Sequence, residues 1–124
     1  MKYVFATWGL IISALLANPV SACIPIPPNP NEDAAADAVF FGVVVAIRQL
    51  PSEGPLIESA LTIEKSKLLK GSAPPNIEVT PRCGDYYPSL NERVIVVRLD
   101  NYDIVRRAGG QYERLLLSAL GHGR

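Results

Sequence analysis

The sequence is poor in the residues from which catalytic and metal sites are built. Histidine occurs once, as His122, which we expect to be solvated near the end of the chain. One histidine leaves no Ser-His-Asp or Cys-His pair and no intrachain zinc site built on histidine. No glycine-rich phosphate-binding loop follows a predicted strand. These absences predict a protein that is not an enzyme, with no catalytic residues and no cofactor.

Positive and negative charges are balanced in this sequence. The chain has 12 Lys and Arg residues against 12 Asp and Glu residues, and the basic ones are scattered, so no nucleic-acid-binding surface is predicted. We interpret the acid pair Glu32 and Asp33 as the N-terminus of a helix. The short basic groups are interpreted as solvated faces: Lys65, Lys67, Lys70, Arg106 and Arg107.

Long apolar runs are limited to one, near the start of the chain. Lys2 precedes an uncharged, mostly apolar stretch over residues 4–17, and small residues stand at positions 20–22. This pattern predicts a signal peptide over residues 1–22 and a single exported domain, secreted or periplasmic, over residues 23–124. No second apolar run is long enough to span a membrane. Cleavage after Ala22 makes Cys23 the first residue of the mature chain.

The two cysteines, Cys23 and Cys83, allow two interpretations. In an exported chain an even pair indicates one disulfide, which would stabilise the fold by about 4 kcal/mol. Val-Ser-Ala-Cys at positions 20–23 also fits a lipoprotein signal, which would tether the chain to the outer membrane. Lipid on the Cys23 sulfur would forbid the disulfide and leave Cys83 unpaired.

The alternation of apolar and polar residues predicts a mostly β domain. The prolines of residues 23–30 predict an extended arm, and residues 31–38 predict a short helix with Asn31 as a candidate N-cap. The nearly continuous apolar stretch 39–47 predicts a strand buried on both faces, with a bulge or bend at Gly42. The remaining predicted elements are strands over residues 57–69, 76–80, 93–99 and 102–107 and a helix over 111–120. Five strands without βαβ alternation favour a small antiparallel barrel with added helices.

A disulfide-bonded N-terminal cysteine presents two backbone groups that can bind a metal. The α-amino group and the carbonyl oxygen of Cys23 could together chelate a metal with an open coordination position, such as a catalytic zinc. The alternative is that the disulfide only staples the arm to the barrel. Asp85, Tyr86 and Tyr87 lie in a predicted loop, where aromatic residues suit an interface or cover the core.

Several segments, in order, resemble the inhibitory domain of the tissue inhibitors of metalloproteinases, and more broadly netrin-like modules, including short exported bacterial members. They are CIPIPPNP at 23–30, ADAVFFGVVVAI at 36–47, EKSKLLKG at 64–71, IEVTPRCG at 77–84 and ERVIVVRL at 92–99. The resemblance implies a five-stranded OB-fold-like barrel with Cys23 bonded to Cys83. Pro25 stands where the family has a second cysteine, so a second staple on the arm is missing.

The resemblance also implies a function. The amine and carbonyl of Cys23 would bind the zinc of a partner metalloprotease, and Ile24 would enter its specificity pocket. The alternatives are a non-inhibitory secreted binding module and a membrane-tethered lipoprotein; we expect a monomer in each case. The residues expected to contact a partner are Ile24, Pro25, Ile26, Asp85, Tyr86 and Tyr87.

Overall fold

Five antiparallel strands in one sheet and two short helices form the part of the chain described by the computed structural model, residues 24–51 and 58–122. In chain order the elements are α1 (Pro30–Ala34), β1 (Ala38–Leu50), β2 (Glu58–Lys70), β3 (Asn76–Val79), β4 (Arg93–Arg98), β5 (Asp103–Arg107) and α2 (Gly110–Ala119). The prediction of a mostly β chain with an N-terminal and a C-terminal helix is confirmed. The predicted signal peptide and Cys23 lie outside the described residues.

The sheet has the strand order β3-β2-β1-β4-β5. β1 pairs with β2 along most of its length, whereas β4 pairs only with its first half, Ala38 to Val43. The edge strands β3 and β5 come within 8 Å of each other between Cα atoms but form no ladder of hydrogen bonds. The sheet is therefore curved and open between β3 and β5.

The first half of β1 is buried on both faces, as the sequence predicts. Phe40 and Val44 pack in one apolar core with side chains of all the other strands, and Val39 and Phe41 pack in a second core with Leu116 of α2. The second half differs from the prediction. Val45 and the residues up to Gln49 are exposed, because β4 does not extend beside them.

The predicted irregularity at Gly42 is confirmed. The register between β1 and β2 shifts between Phe41 and Gly42, which marks a β-bulge. A Cβ atom built on Gly42 would lie 3.0 Å from the Glu64 carbonyl oxygen and closer still to the Ile63 side chain. Glycine is required here because the neighbouring strand leaves no room for a side chain.

Helix α1 begins and ends earlier than the predicted 31–38, and the proposed N-cap at Asn31 is wrong. The N-cap is Asn29, whose Oδ1 accepts hydrogen bonds from the amides of Asn31 at 3.0 Å and Glu32 at 3.3 Å. Pro30 suits the first helical position because that position uses no intrahelical N–H. The helix ends at Ala34, and the Asp37 amide already donates to the Arg98 carbonyl beside β1.

Substituting adjacent residues of β1 tests its burial. Val44 is fully buried, whereas Val45 is 42% exposed. We expect Val44→Asp to lower the free energy of unfolding by more than about 3 kcal/mol, because it places an unpaired charge in the core. Val45→Asp is the matched control, expected to change it by less than about 0.5 kcal/mol. Urea unfolding measures both; equal losses would contradict the assigned burial.

Candidate functional site at the arm and its facing loop

The segment 24–29, which we call the arm, forms neither helix nor strand and is exposed along its length. Ile24 and Ile26 are each 81% exposed, an unusual position for large apolar side chains. Pro25, Pro27 and Pro28 restrict the backbone between and after them. The arm therefore presents two isoleucines on a stiff, solvent-facing segment.

The arm begins directly against residues 82–87, which we call the facing loop. Gly84 has φ +91°, and a Cβ atom built on it would lie 3.0 Å from the Ile24 carbonyl oxygen and 3.8 Å from the Pro25 Cα. Both the backbone conformation and the close approach favour glycine at this position. The missing side chain of Gly84 lets the arm lie on the loop.

Cys83 comes directly before Gly84 in the chain. Among the described residues no cysteine carries a free thiol. Ile24 lies against Gly84, and these two residues are the chain neighbours of Cys23 and Cys83. Cys23 itself is outside the described residues, so its pairing with Cys83 stays a prediction.

Hydrogen bonds hold the facing loop in shape. The Asp85 carboxylate accepts from the Arg82 amide at 2.7 Å, and the Asp85 amide donates to the Arg82 carbonyl at 2.9 Å. The Tyr87 hydroxyl donates to the Pro81 carbonyl at 3.1 Å. The Tyr86 hydroxyl donates to Glu92, and this hydrogen bond is the largest cause of a raised Tyr86 pKa. The loop is a preformed surface.

The six residues predicted to contact a partner lie together. Next to the contact at Gly84, the arm and the loop together line a groove of about 500 Å³; its lining includes Pro25, Ile26, Asp85, Tyr86, Tyr87 and Arg107. Ile24 lines a neighbouring hollow of about 400 Å³, together with Ile26, Asp85 and Tyr102. Tyr86 packs partly over the first core, whereas Tyr87 is 48% exposed. Of the two loop tyrosines, Tyr87 offers more surface to a partner.

A buried polar cluster that the sequence does not predict lies behind the arm, formed by Asp33, Arg106 and Tyr112. Asp33 is only 6% exposed, and its carboxylate accepts from Arg106 Nε at 3.1 Å and Nη2 at 3.2 Å and from the Tyr112 hydroxyl. Burial is the largest cause of a raised Tyr112 pKa, and the hydrogen bond to Asp33 is the second. The prediction that Arg106 is solvated is therefore wrong, and Asp33 is more than a helix-terminal charge.

The other charged positions are closer to the predictions. Glu32, Lys67 and Arg107 are exposed. Lys65 and Lys70 are half-buried, however, and their ammonium groups donate to the carbonyls of Ala73 at 2.7 Å and Ala34 at 2.8 Å. His122 is exposed as expected, although its Nε2 lies 3.0 Å from the Leu69 carbonyl oxygen.

Comparison with known protein families and with curated proteins finds no match to this chain. Within residues 24–51 and 58–122 there is no group of three or more His, Cys, Asp or Glu side chains arranged to hold a metal ion. Over the same residues no helix is long and apolar enough to cross a membrane. The candidate site is therefore the surface formed by the arm and the facing loop.

Replacing Gly84 by alanine tests whether the arm rests on this residue. Gly121→Ala is the control, because Gly121 also has a positive φ, of 84°, but no atom lies within 4 Å of its built Cβ. Backbone strain should lower the free energy of unfolding of both variants by roughly 1 kcal/mol. Only Gly84→Ala should also shift the amide resonances of Ile24 and Ile26 in a ¹H–¹⁵N spectrum. Unchanged resonances would show that the arm does not rest on Gly84.

Proposed function

We propose that this domain is an exported inhibitor of a zinc metalloprotease and acts through its N-terminal cysteine. The amine and carbonyl of Cys23 would occupy the open coordination position of the protease zinc, displacing its water. Ile24 would enter the adjacent specificity pocket. The zinc belongs to the partner, and the domain itself needs no cofactor and performs no catalysis.

The position of Ile24 is the observation that supports this proposal most. Its backbone rests on Gly84 while its side chain is 81% exposed. The loop thus supports the backbone of Ile24, while the Ile24 side chain is free to enter a pocket of a partner. Burying an isoleucine side chain contributes about 2 kcal/mol. The prolines that follow reduce the conformational entropy lost on binding.

The proposal extends to the architecture, a partly open five-stranded barrel of the OB type. β1 pairs with both β2 and β4, and the free edges β3 and β5 approach each other. A five-stranded sheet curved until its edges approach fits the partly open barrel of that fold. All five strands contribute buried side chains to the first core, among them Val79 and Val105, as expected for the interior of such a barrel.

A secreted binding module without inhibitory activity is the second candidate. The groove between the arm and the facing loop favours it, because an extended partner segment could bind there without using the terminus. Tyr87 at 48% exposure and the exposed Arg107 would be its contacts. Either candidate is proposed as a monomer in the secreted or periplasmic space.

The mass of the protein from its native host tests the processing that the proposal needs. We expect a chain that starts at Cys23 and is two hydrogens lighter than the fully reduced form. This result follows from signal cleavage after Ala22 and a disulfide to Cys83. Reduction followed by alkylation should then add two labels. A mass raised by acyl groups would instead establish a lipoprotein and exclude both the free amine and the disulfide.

Adding one alanine ahead of Cys23 tests the chelation. The extension converts the α-amine into a peptide nitrogen and removes the zinc ligand, while the sulfur and the fold are unchanged. Inhibition across a panel of zinc metalloproteases should therefore disappear. Ile24→Gly, which removes only the pocket contact, should weaken inhibition by about 2 kcal/mol, or roughly thirtyfold.

The outcomes of this panel separate the two candidates. Equal inhibition by the wild-type and extended proteins would exclude binding through the terminus. No inhibition by either protein, with a correctly processed terminus, would favour the binding module. Circular dichroism of the extended protein serves as the control for folding.

A further inference from the structure

We propose that Asp33 is a positioning residue for the arm, acting with Arg106 and Tyr112 as a noncovalent anchor at its inner end. This inference rests on the proposed function in taking the arm as the binding element. The contact at Gly84 holds one end of the arm, and the buried cluster holds the other.

The arm and Asp33 are connected through a single short helix. Asn29, the last residue of the arm, caps α1 with its side chain, and its carbonyl accepts from the Asp33 amide at 3.0 Å. Asp33 in turn binds Arg106 of β5 and Tyr112 of α2. A displacement of α1 would therefore move Asn29 and the arm with it.

Outside this cluster, helix α1 is held by a side-chain hydrogen bond, from the Lys70 ammonium to the Ala34 carbonyl at 2.8 Å, and by small apolar contacts. Asp33 is the only buried residue among its five, while Asn31 and Glu32 are exposed. Ala34 adds only a methyl group to the second core. Apolar contacts of this size are weak and nondirectional. A bidentate pairing of guanidinium and carboxylate, in contrast, permits one relative orientation.

Arg106 also connects the cluster to the binding surface. Its guanidinium binds Asp33, and its side chain lines both the groove and the neighbouring hollow beside the arm. The side chain is only 20% exposed. Arg106 therefore contacts Asp33 of α1 and lines the hollows beside the arm at the same time.

Backbone dynamics of the arm test this role directly. In the wild-type protein we expect ¹⁵N order parameters for Ile26 and Asn29 near ~0.85, the value of a rigid backbone. Asp33→Asn should lower them below ~0.6, and Tyr112→Phe, which removes one hydrogen bond and keeps the ring, should lower them partly. Ile77→Val is the control, because it removes one methyl group from the first core, to which no residue of the cluster or the arm belongs.

Inhibition of a responsive protease is measured on the same proteins. Asp33→Asn should weaken it about tenfold or more, whereas Ile77→Val should leave it unchanged. If no protein inhibits any protease but the order parameters still fall, the positioning role stands and the proposed function fails. If Asp33→Asn does not fold, Tyr112→Phe decides. Folded variants whose arm is as rigid as that of the wild type would overturn the inference.

Discussion

Strand β1 contributes side chains to two apolar cores at once, and the parts of the proposed binding surface depend on one core or the other. Phe40 points into the core on which Tyr86 of the facing loop packs, and Phe41 into the core against which Tyr112 of α2 packs. The loop is thus supported from one side of the sheet and the Asp33 cluster from the other. The arm joins these two sides, so its position depends on β1 even though no residue of the arm belongs to a core.

The composition of the arm suits a segment held at its ends. Residues 24–29 have three prolines, which fix φ and lack an amide donor. Such a segment cannot add to the sheet as a strand, because it offers too few donors for a hydrogen-bonded ladder. It also loses little conformational entropy when its ends are fixed, since its unfolded states are already restricted. A stiff segment between two anchors can keep Ile24 and Ile26 exposed, whereas a flexible one would bury them by collapsing onto the nearest apolar surface.

The sequence predicts the elements well and the polar cluster not at all. Apolar runs and turn residues are local signals, and the five strands and the bulge at Gly42 follow from them. The N-cap was misplaced by two residues because Asn29 and Asn31 are chemically equal, and only the fit of Pro30 to the first helical position separates them. Asp33 and Arg106 are 73 residues apart, so no local pattern relates them. Each of the two has a charged neighbour, Glu32 or Arg107, and such runs are typical of solvated surfaces.

Two anchors of different kinds matter because the proposed chemistry needs direction as well as position. A disulfide at Cys23 would fix where the terminus lies, but rotation about a single attachment would leave the path of the arm undetermined. The Asp33 cluster fixes the other end, six residues further on, and thereby the direction in which the arm leaves Gly84. A five-membered chelate requires both the amine and the carbonyl at defined places around the zinc. The groove has the same requirement, since Pro25–Pro28 form one of its walls and the distance to Tyr87 sets its width. The proposed chelation by the terminus and the proposed binding in the groove therefore depend on the same restraint, and a loosened arm would weaken both.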